Sequence, residues 1–277
     1  MTTKNSSIDA RRLMVIGAHP DDCESVGGIA LRLKEQGWQI MFLSVTNGSA
    51  GHHVTPGAAM VLRRAQEARK VSKLTGFAYQ ILDIDDGRLT TGLHERDMLM
   101  RAIRGFAPDV IITHRPNDYH TDHRNTSQLV QDCSYLLMVP AICPLTPAMK
   151  RMPAIFYKAD RFQKPAPFSP DLVFDISDLA QQKLLMFHQH TSQVYEWLPW
   201  VAGENMAAIP QDEDGRLEWL RQGRFGTDGS AYADAWRSQL ISKYGERGRL
   251  ATSAEALEVC EYGRQLNQQE LQDYFPF

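Results

Sequence analysis

The 277-residue chain is predicted to be an α/β protein, a Rossmann-like, mostly parallel sheet covered by helices, with a helical C-terminal extension. Three observations predict it. Strand-like and helix-like runs alternate through the first two thirds of the chain, and the strand-like runs are unbroken apolar stretches, as buried parallel strands require. Two His/Asp-rich loops also fall at strand ends, the edge where open α/β sheets bind their ligands.

Each element can be justified in turn. LMVIGA (13–18) reads as a buried strand, and GGIALRLKEQG (27–37) as a helix ended by Gly37. WQIMFLSVT (38–46) is a second strand. The Gly-rich loop NGSAGHHVTPG (47–57) leads to a strong helix over 58–76, AAMVLRRAQEARKVSKLTG. YQILDI (79–84) and PDVIITH (108–114) are the third and fourth strands, with the helix HERDMLMRAIRGFA (94–107) between them. A loop over 115–125, RPNDYHTDHRN, precedes a helix over 126–138. Short strands at 154–159 and 171–176 precede a helix over 177–193. From residue 195 Trp, Pro and Gly are scattered, and helices are expected over 230–244 and 253–272, with a loop near Gly226 and Gly229. The division is therefore a sheet domain over 1–194 and a helical extension over 195–277. The proline-rich VPAICPLTPAMKRMP (139–153) reads as a rim loop that covers the site or serves an oligomer interface.

Composition excludes several functions. A formal charge of −3 with dispersed basic residues leaves no electrostatic footprint for nucleic acid. RRAQEARK (63–70) reads as a solvated helix face. No apolar run approaches the roughly 18–20 residues that span a bilayer. The N-terminal MTTKNSSIDARR lacks the apolar core of a signal peptide. Cys23, Cys133, Cys143 and Cys260 show no C-x-x-C pairing, which suits reduced thiols and a cytoplasmic location.

The chemistry concentrates in AHPDD (18–22), after strand 1, and THRPNDYHTDH (113–123), after strand 4. In a doubly wound order these ends face one crevice. The first turn lacks G-x-G-x-x-G, and its two carboxylates would repel a pyrophosphate, so a dinucleotide site is excluded. Imidazole and carboxylate together suit Zn²⁺, held by three protein ligands with a position left open. His19 and Asp22 converge across a proline-stiffened turn, and His123 completes the set. Asp21 is left free to act as general base. His120 is suited to the far side of a bound carbonyl, with Asp122 accepting its other N–H and favouring its protonated form. His190, near a helix end, is a candidate to approach the site from the far side. Tyr195, Trp197 and Trp200 either stack on a sugar or pack in the core.

The motif pair AHPDD and HxDH, with TNGSAG (46–51), RAQEARKVSKLTG (64–76) and DDGRL (85–89), resembles the PIG-L/LmbE-like family of N-acetylglucosaminyl-phosphatidylinositol de-N-acetylases. The likeness covers about residues 12–195. It implies a Rossmann-like, zinc-dependent hydrolase that removes acetyl from an N-acetylglucosamine-type sugar or conjugate, with metal-bound water attacking the amide and Asp21 as base. Carried over by position, it implies His19, Asp22 and His123 as ligands, His120 as acid or electrostatic stabiliser and Asp122 as its orienter. Arg64 and Asp86 match sugar-hydroxyl contacts. The sequence departs from the family at Cys23, where many members have Glu, and at Asp118, where some carry an aromatic lid residue. Another divalent metal such as Fe²⁺ is an alternative to zinc. The expected partner is a small amino-sugar substrate, with no nucleic acid or membrane and with a homo-oligomer possible. Two other readings stay open, a metal-dependent hydrolase of a different amide or ester and a non-catalytic metal- or carbohydrate-binding relative. Retention of every catalytic group argues against the last.

Overall fold

Alternate residues of the first strand, β1 (Arg12–Gly17), are buried in opposite directions. Leu13 and Val15 enter one core cluster, Met14 and Ile16 the other. Burial on both faces explains why this strand reads as one apolar run. The computed structural model describes residues 10–277, so most of the polar N-terminus discussed above lies outside the described residues.

Strands β2 (Gln39–Ser44), β3 (Ala78–Ile81), β4 (Val110–Thr113), β5 (Ala154–Lys158), β6 (Leu172–Asp175) and β7 (Ala254–Val259) complete a seven-stranded sheet of order β3-β2-β1-β4-β5-β7-β6. β1 to β5 run parallel. The chain leaves β1 toward β2 and β3, then returns to lay β4 on the other side of β1, which makes the C-terminal ends of β1 and β4 the topological switch point. Helices α1 (Gly27–Glu35) and α2 (Ala58–Thr75) contribute to the core on one face, and α3 (Leu93–Phe106) and α4 (Thr121–Leu136) to the core on the other. Fully buried Phe42, Phe156 and Phe174 each stabilise this packing by about 1.5–3 kcal/mol.

Past α5 (Ala180–Gln189) a π-helical turn (Gln193–Trp197) runs into the short α6 (Leu198–Val201). Helices α7 (Glu213–Gln222), α8 (Arg224–Ala235), α9 (Arg237–Tyr244) and α10 (Glu246–Leu250) follow, and α11 (Gln268–Tyr274) ends the chain. Among the described residues no helix is long and apolar enough to cross a membrane.

Four expectations are corrected. Helix α4 starts at Thr121, not at 126, so Asp122 and His123 sit in its first turn and His120 is its N-cap. Gly226 and Gly229 lie within α8, not in a loop. The helix expected over 253–272 is instead β7 followed by α11. AEALEV is rich in helix formers, yet it pairs antiparallel with both β5 and β6, and tertiary pairing overrides the local preference. The extension therefore supplies a strand to the sheet. The loop over 139–153 precedes β5 in a parallel sheet and so lies at the edge opposite the C-terminal ends of β1 and β4. The Arg104 guanidinium gathers this region by binding the carbonyls of Leu136, Leu137, Val139, Ile142, Cys143 and Thr146.

β7 also reaches the helix that follows the site loop. Glu255, 2 % exposed, accepts the Gly28 and Ile29 N–H groups at 2.9 and 2.8 Å and pairs with Lys183 at 2.7 Å. A carboxylate there satisfies orphan donors at the start of α1 and matches the positive end of its dipole.

Candidate active site

The turn after β1 is built on close backbone approach. A Cβ on Gly17 would lie 2.5 Å from Asp22 Cβ, so only glycine lets the chain fold back there. The His19 N–H donates to Asp22 Oδ2 at 2.7 Å, and Lys158 Nζ donates to the Asp22 carbonyl at 2.8 Å. Ala18 is fixed through its N–H to His114 Nε2 (3.1 Å) and its carbonyl to Thr46 Oγ1 (2.8 Å). Cys23 Sγ points into the sheet toward the Val15 and Leu43 carbonyls, away from the loop.

His19, Asp22 and His123 come together. His19 Nδ1 is 3.2 Å from His123 Nε2 and 3.5 Å from Asp22 Oδ2, and His123 Nε2 is 3.5 Å from Asp22 Oδ1. Donors about 2.0–2.1 Å from a tetrahedral ion are spaced about 3.3–3.4 Å from one another, so the set fits such an ion. Its chemistry agrees. His123 Nδ1 is 3.0 Å from Asp118 Oδ1, an N–H donor to a carboxylate that leaves the Nε2 lone pair facing His19. His19 Nε2 is 3.1 Å from Asp86 Oδ1 and 3.4 Å from Asp122 Oδ2, without a well-aligned hydrogen bond to either. Burial alone would lower the His19 imidazole, but Asp122, Asp22 and Asp86 outweigh it and hold it well above the usual range. Burial disfavours the Asp22 carboxylate, yet His123, His114 and Lys158 pull it well below the usual range. The surroundings therefore call for positive charge at this point, which a proton or a metal ion can supply.

The donors also group as His19–His120–His123, Asp22–His114–His123 and His19–Asp86–Asp122. Each of these contains a group already used within the protein. His114 Nε2 accepts the Ala18 N–H, His120 Nδ1 accepts the Asp122 N–H at 3.1 Å, and Asp122 Oδ2 accepts the Gly87 N–H at 2.7 Å. In the expected triad the His19 Nδ1 and His123 Nε2 lone pairs accept no backbone N–H, and although Asp22 Oδ2 accepts the His19 N–H, its Oδ1 accepts none. Burial, with Lys158 and His123 nearby, drives the His114 pKa down to about 3, so this ring is neutral and serves as a backbone anchor.

Asp21 lies beside the triad. Its Oδ1 is 3.1 Å from Arg64 Nη2; burial raises its carboxyl pKa while Arg64 opposes the shift. Arg64 is 1 % exposed and is also paired with Glu67 at 3.2 Å. Buried to this degree, it holds Asp21 rather than facing a sugar hydroxyl. Glu67 is held in turn by the Ser192 N–H and hydroxyl at 2.8 and 2.7 Å. Gly48, at φ +71°, gives Arg64 the room to pass.

Two further expectations fail. Asp122 does not orient His120 through its carboxylate, because α4 begins early and the two meet through the Asp122 backbone N–H. With Nδ1 accepting, His120 carries its proton on Nε2; burial and the neighbouring His19 and His123 lower its pKa, so a neutral ring replaces the expected imidazolium. His190 is 0 % exposed and its Nε2 is 2.6 Å from Glu24 Oε1. It lies beneath the site as half of a buried pair, closed to substrate. Asp86 stands beside His19, which lowers its pKa against the opposing effect of burial. Tyr195 is core, bonded through its hydroxyl to His188, whereas Trp200 is 47 % exposed. Sequence reasoning missed Asp118 and Lys158 as supports; the signal for Asp118 was a carboxylate in the same loop as His123.

Comparison with known proteins adds context. Residues 14–134 match the family model described as PIG-L, GlcNAc-PI de-N-acetylase. Diacetylchitobiose deacetylase of Thermococcus kodakarensis is 26 % identical over 207 residues, covering 69 % of this chain and 74 % of that protein. Among solved structures, N,N'-diacetylchitobiose deacetylase from Pyrococcus horikoshii has a TM-score of 0.67 at 21 % identity, covering 95 % of this chain and 88 % of its own. The 4-carboxy-2-hydroxymuconate hydratase from Pseudomonas putida has a TM-score of 0.71 at 16 % identity, covering 93 % and 98 %. Proteins named for different reactions thus share the fold, and the choice between reactions rests on the site.

Proposed function

We propose, from the premise of a PIG-L domain over residues 14–134, that this chain is a metal-dependent N-deacetylase acting on an N-acetylglucosamine-type sugar or conjugate. The observation that carries this reading is the convergence of His19, Asp22 and His123 within 3.2–3.5 Å beside the Arg64-held Asp21. Held by these three residues, a divalent cation would supply an electrophile for the acetamide oxygen and ease deprotonation of a water. Zinc is the proposed ion, and Fe²⁺ is the alternative that two imidazoles and a carboxylate also suit.

The remaining work falls to the chain. As water oxygen bonds to the acetamide carbon, Asp21 takes the water's proton; its raised pKa moves it toward the range useful for a base at neutral pH. Arg64 keeps the carboxylate aimed and prevents it from turning toward the ligands. Negative charge then develops on the carbonyl oxygen, where a neutral His120 with its proton on Nε2 can donate a preorganised hydrogen bond. Asp21 returns its proton to the nitrogen as the C–N bond breaks, leaving a free amine and acetic acid, which ionises to acetate at neutral pH. Unpaired cysteines suit a cytoplasmic setting.

The test is acetate release from N-acetylglucosamine and N,N'-diacetylchitobiose by zinc-loaded protein, with and without chelator. Chelator-sensitive acetate release supports the proposal. Hydrolysis of simple esters or other amides without acetate release from either sugar would move the function to the rival hydrolase reading.

A further inference from the structure

The loop after β2 carries aromatic rings that neither the core nor the reaction uses. His53 stacks on Trp200 with ring centres 4.5 Å apart and planes within 4°. Trp197 lies parallel to both, 5.4 Å from Trp200 and 6.4 Å from His53. His53 and Trp200 are exposed. His52 covers His53 from another side, stacked at 4.8 Å; resting on the proposed reaction, we infer that the exposed part of this stack, Trp200 above all, forms a platform for a second, uncharged pyranose joined to the N-acetyl sugar being hydrolysed.

Position supports this. His53 follows Gly51 by two residues, at most about 7 Å of chain. A side chain at Gly51 would lie 3.4 Å from Asp86 Oδ2, and Asp86 Oδ1 is 3.1 Å from His19. The platform is therefore continuous with the metal-ligand cluster and lies outward from it, where the next ring of a sugar chain would emerge. The mounting is rigid. His52 is buried beneath the platform, its Nε2 2.9 Å from Glu196 and its Nδ1 accepting the Val54 and Thr55 N–H groups. Gln193 Nε2 donates to the Gly51 carbonyl at 2.9 Å. Trp197 comes from a π-helical turn, a local distortion often found at functional sites. Fixing the loop before binding lowers the ordering cost of capturing a ligand.

Chemistry selects the ligand class. Flat, electron-rich faces attract the C–H face of an amphipathic ring. Arg63 and Glu196, beside His52, neutralise each other through a bond of Arg63 Nη2 to Glu196 Oε1 at 2.5 Å, so neither offers a free charge to a charged conjugate.

The experiment compares kcat/KM for N,N'-diacetylchitobiose with that for N-acetylglucosamine in wild type, Trp200→Ala, His53→Ala and Trp200→Tyr. The disaccharide-to-monosaccharide ratio is expected to fall roughly 3- to 10-fold in the alanine variants, the size of one lost stacking contact, through KM, and to recover largely in Trp200→Tyr. An unchanged ratio overturns the platform. So does a shift in oligomeric state on Trp200→Ala with equal losses on both sugars, which would make this face an interface between copies. A tryptophan fluorescence titration with N,N'-diacetylchitobiose separates the two failures. If wild type releases no acetate but its fluorescence responds to the disaccharide and the Trp200→Ala response is lost, the platform stands and the reaction assignment falls. No fluorescence response in wild type counts against the platform itself.

Discussion

The floor of the site and its rim are built on opposite terms. On the floor polar side chains are fixed by one another: Asp118 holds His123, Arg64 holds Asp21, and Glu67 holds Arg64. These groups are buried or nearly so, and removing one leaves a charge or a lone pair without its partner. On the rim, His53 and Trp200 face solvent and only their mounting, His52, is buried. Reaction chemistry needs fixed dipoles in a poorly solvated place, whereas recognition of a sugar chain needs a surface the ligand can reach. Substitutions on the floor should therefore affect metal and turnover, and those on the rim substrate preference alone.

That contrast can be broken or sharpened by a graded series. The largest expected effect is from His123→Ala, which should lose bound metal and reduce acetate release to background; metal analysis and an acetate assay read both. Asp21→Asn comes next. It should keep its metal yet lose roughly 10²–10⁴ in kcat, the usual share of a general acid–base group; full activity would remove Asp21 from the mechanism. Asp118→Ala frees His123 without touching a ligand, and a chelator competition should show metal affinity or activity weakened about 10- to 100-fold. Glu255→Ala tests the scaffold instead. It leaves Lys183 without its counter-charge and two amides of α1 without their acceptor, so urea unfolding should show stability lower by about 3–5 kcal/mol, with metal stoichiometry at saturating zinc unchanged. Loss of the metal in that variant would mean that β7 belongs to the site as much as to the sheet.

Much of the floor was legible in the sequence because its ligands sit on two short loops at strand ends, and strand ends follow from apolar runs. His19, Asp21, Asp22 and His123 needed only the strand order to bring them together. Roles that depend on a backbone detail were not legible. Sequence spacing pairs Asp122 with His120 through its side chain, but α4 starts at Thr121 and makes that contact a backbone one. From sequence His190 faces the site, because nothing in its own helix reveals Glu24, 166 positions away. Arg64 was matched to a sugar contact, and its burial follows from Glu67 and Asp21 closing over it. β7 reads as helix because Ala, Glu and Leu favour helices locally, while its partners β5 and β6 lie far back in the chain. The Gly-rich loop after β2 reads as a loop from sequence, but its parallel stack with Trp200 is a product of the fold.

The most direct test of the central claim is the zinc stoichiometry of the purified chain, measured beside Asp22→Ala and Asp21→Asn after loading and desalting. About one ion per chain in wild type and Asp21→Asn, with loss in Asp22→Ala, is the expected result for a three-ligand site with a separate base. Equal zinc in all three proteins, or none in wild type, would contradict it.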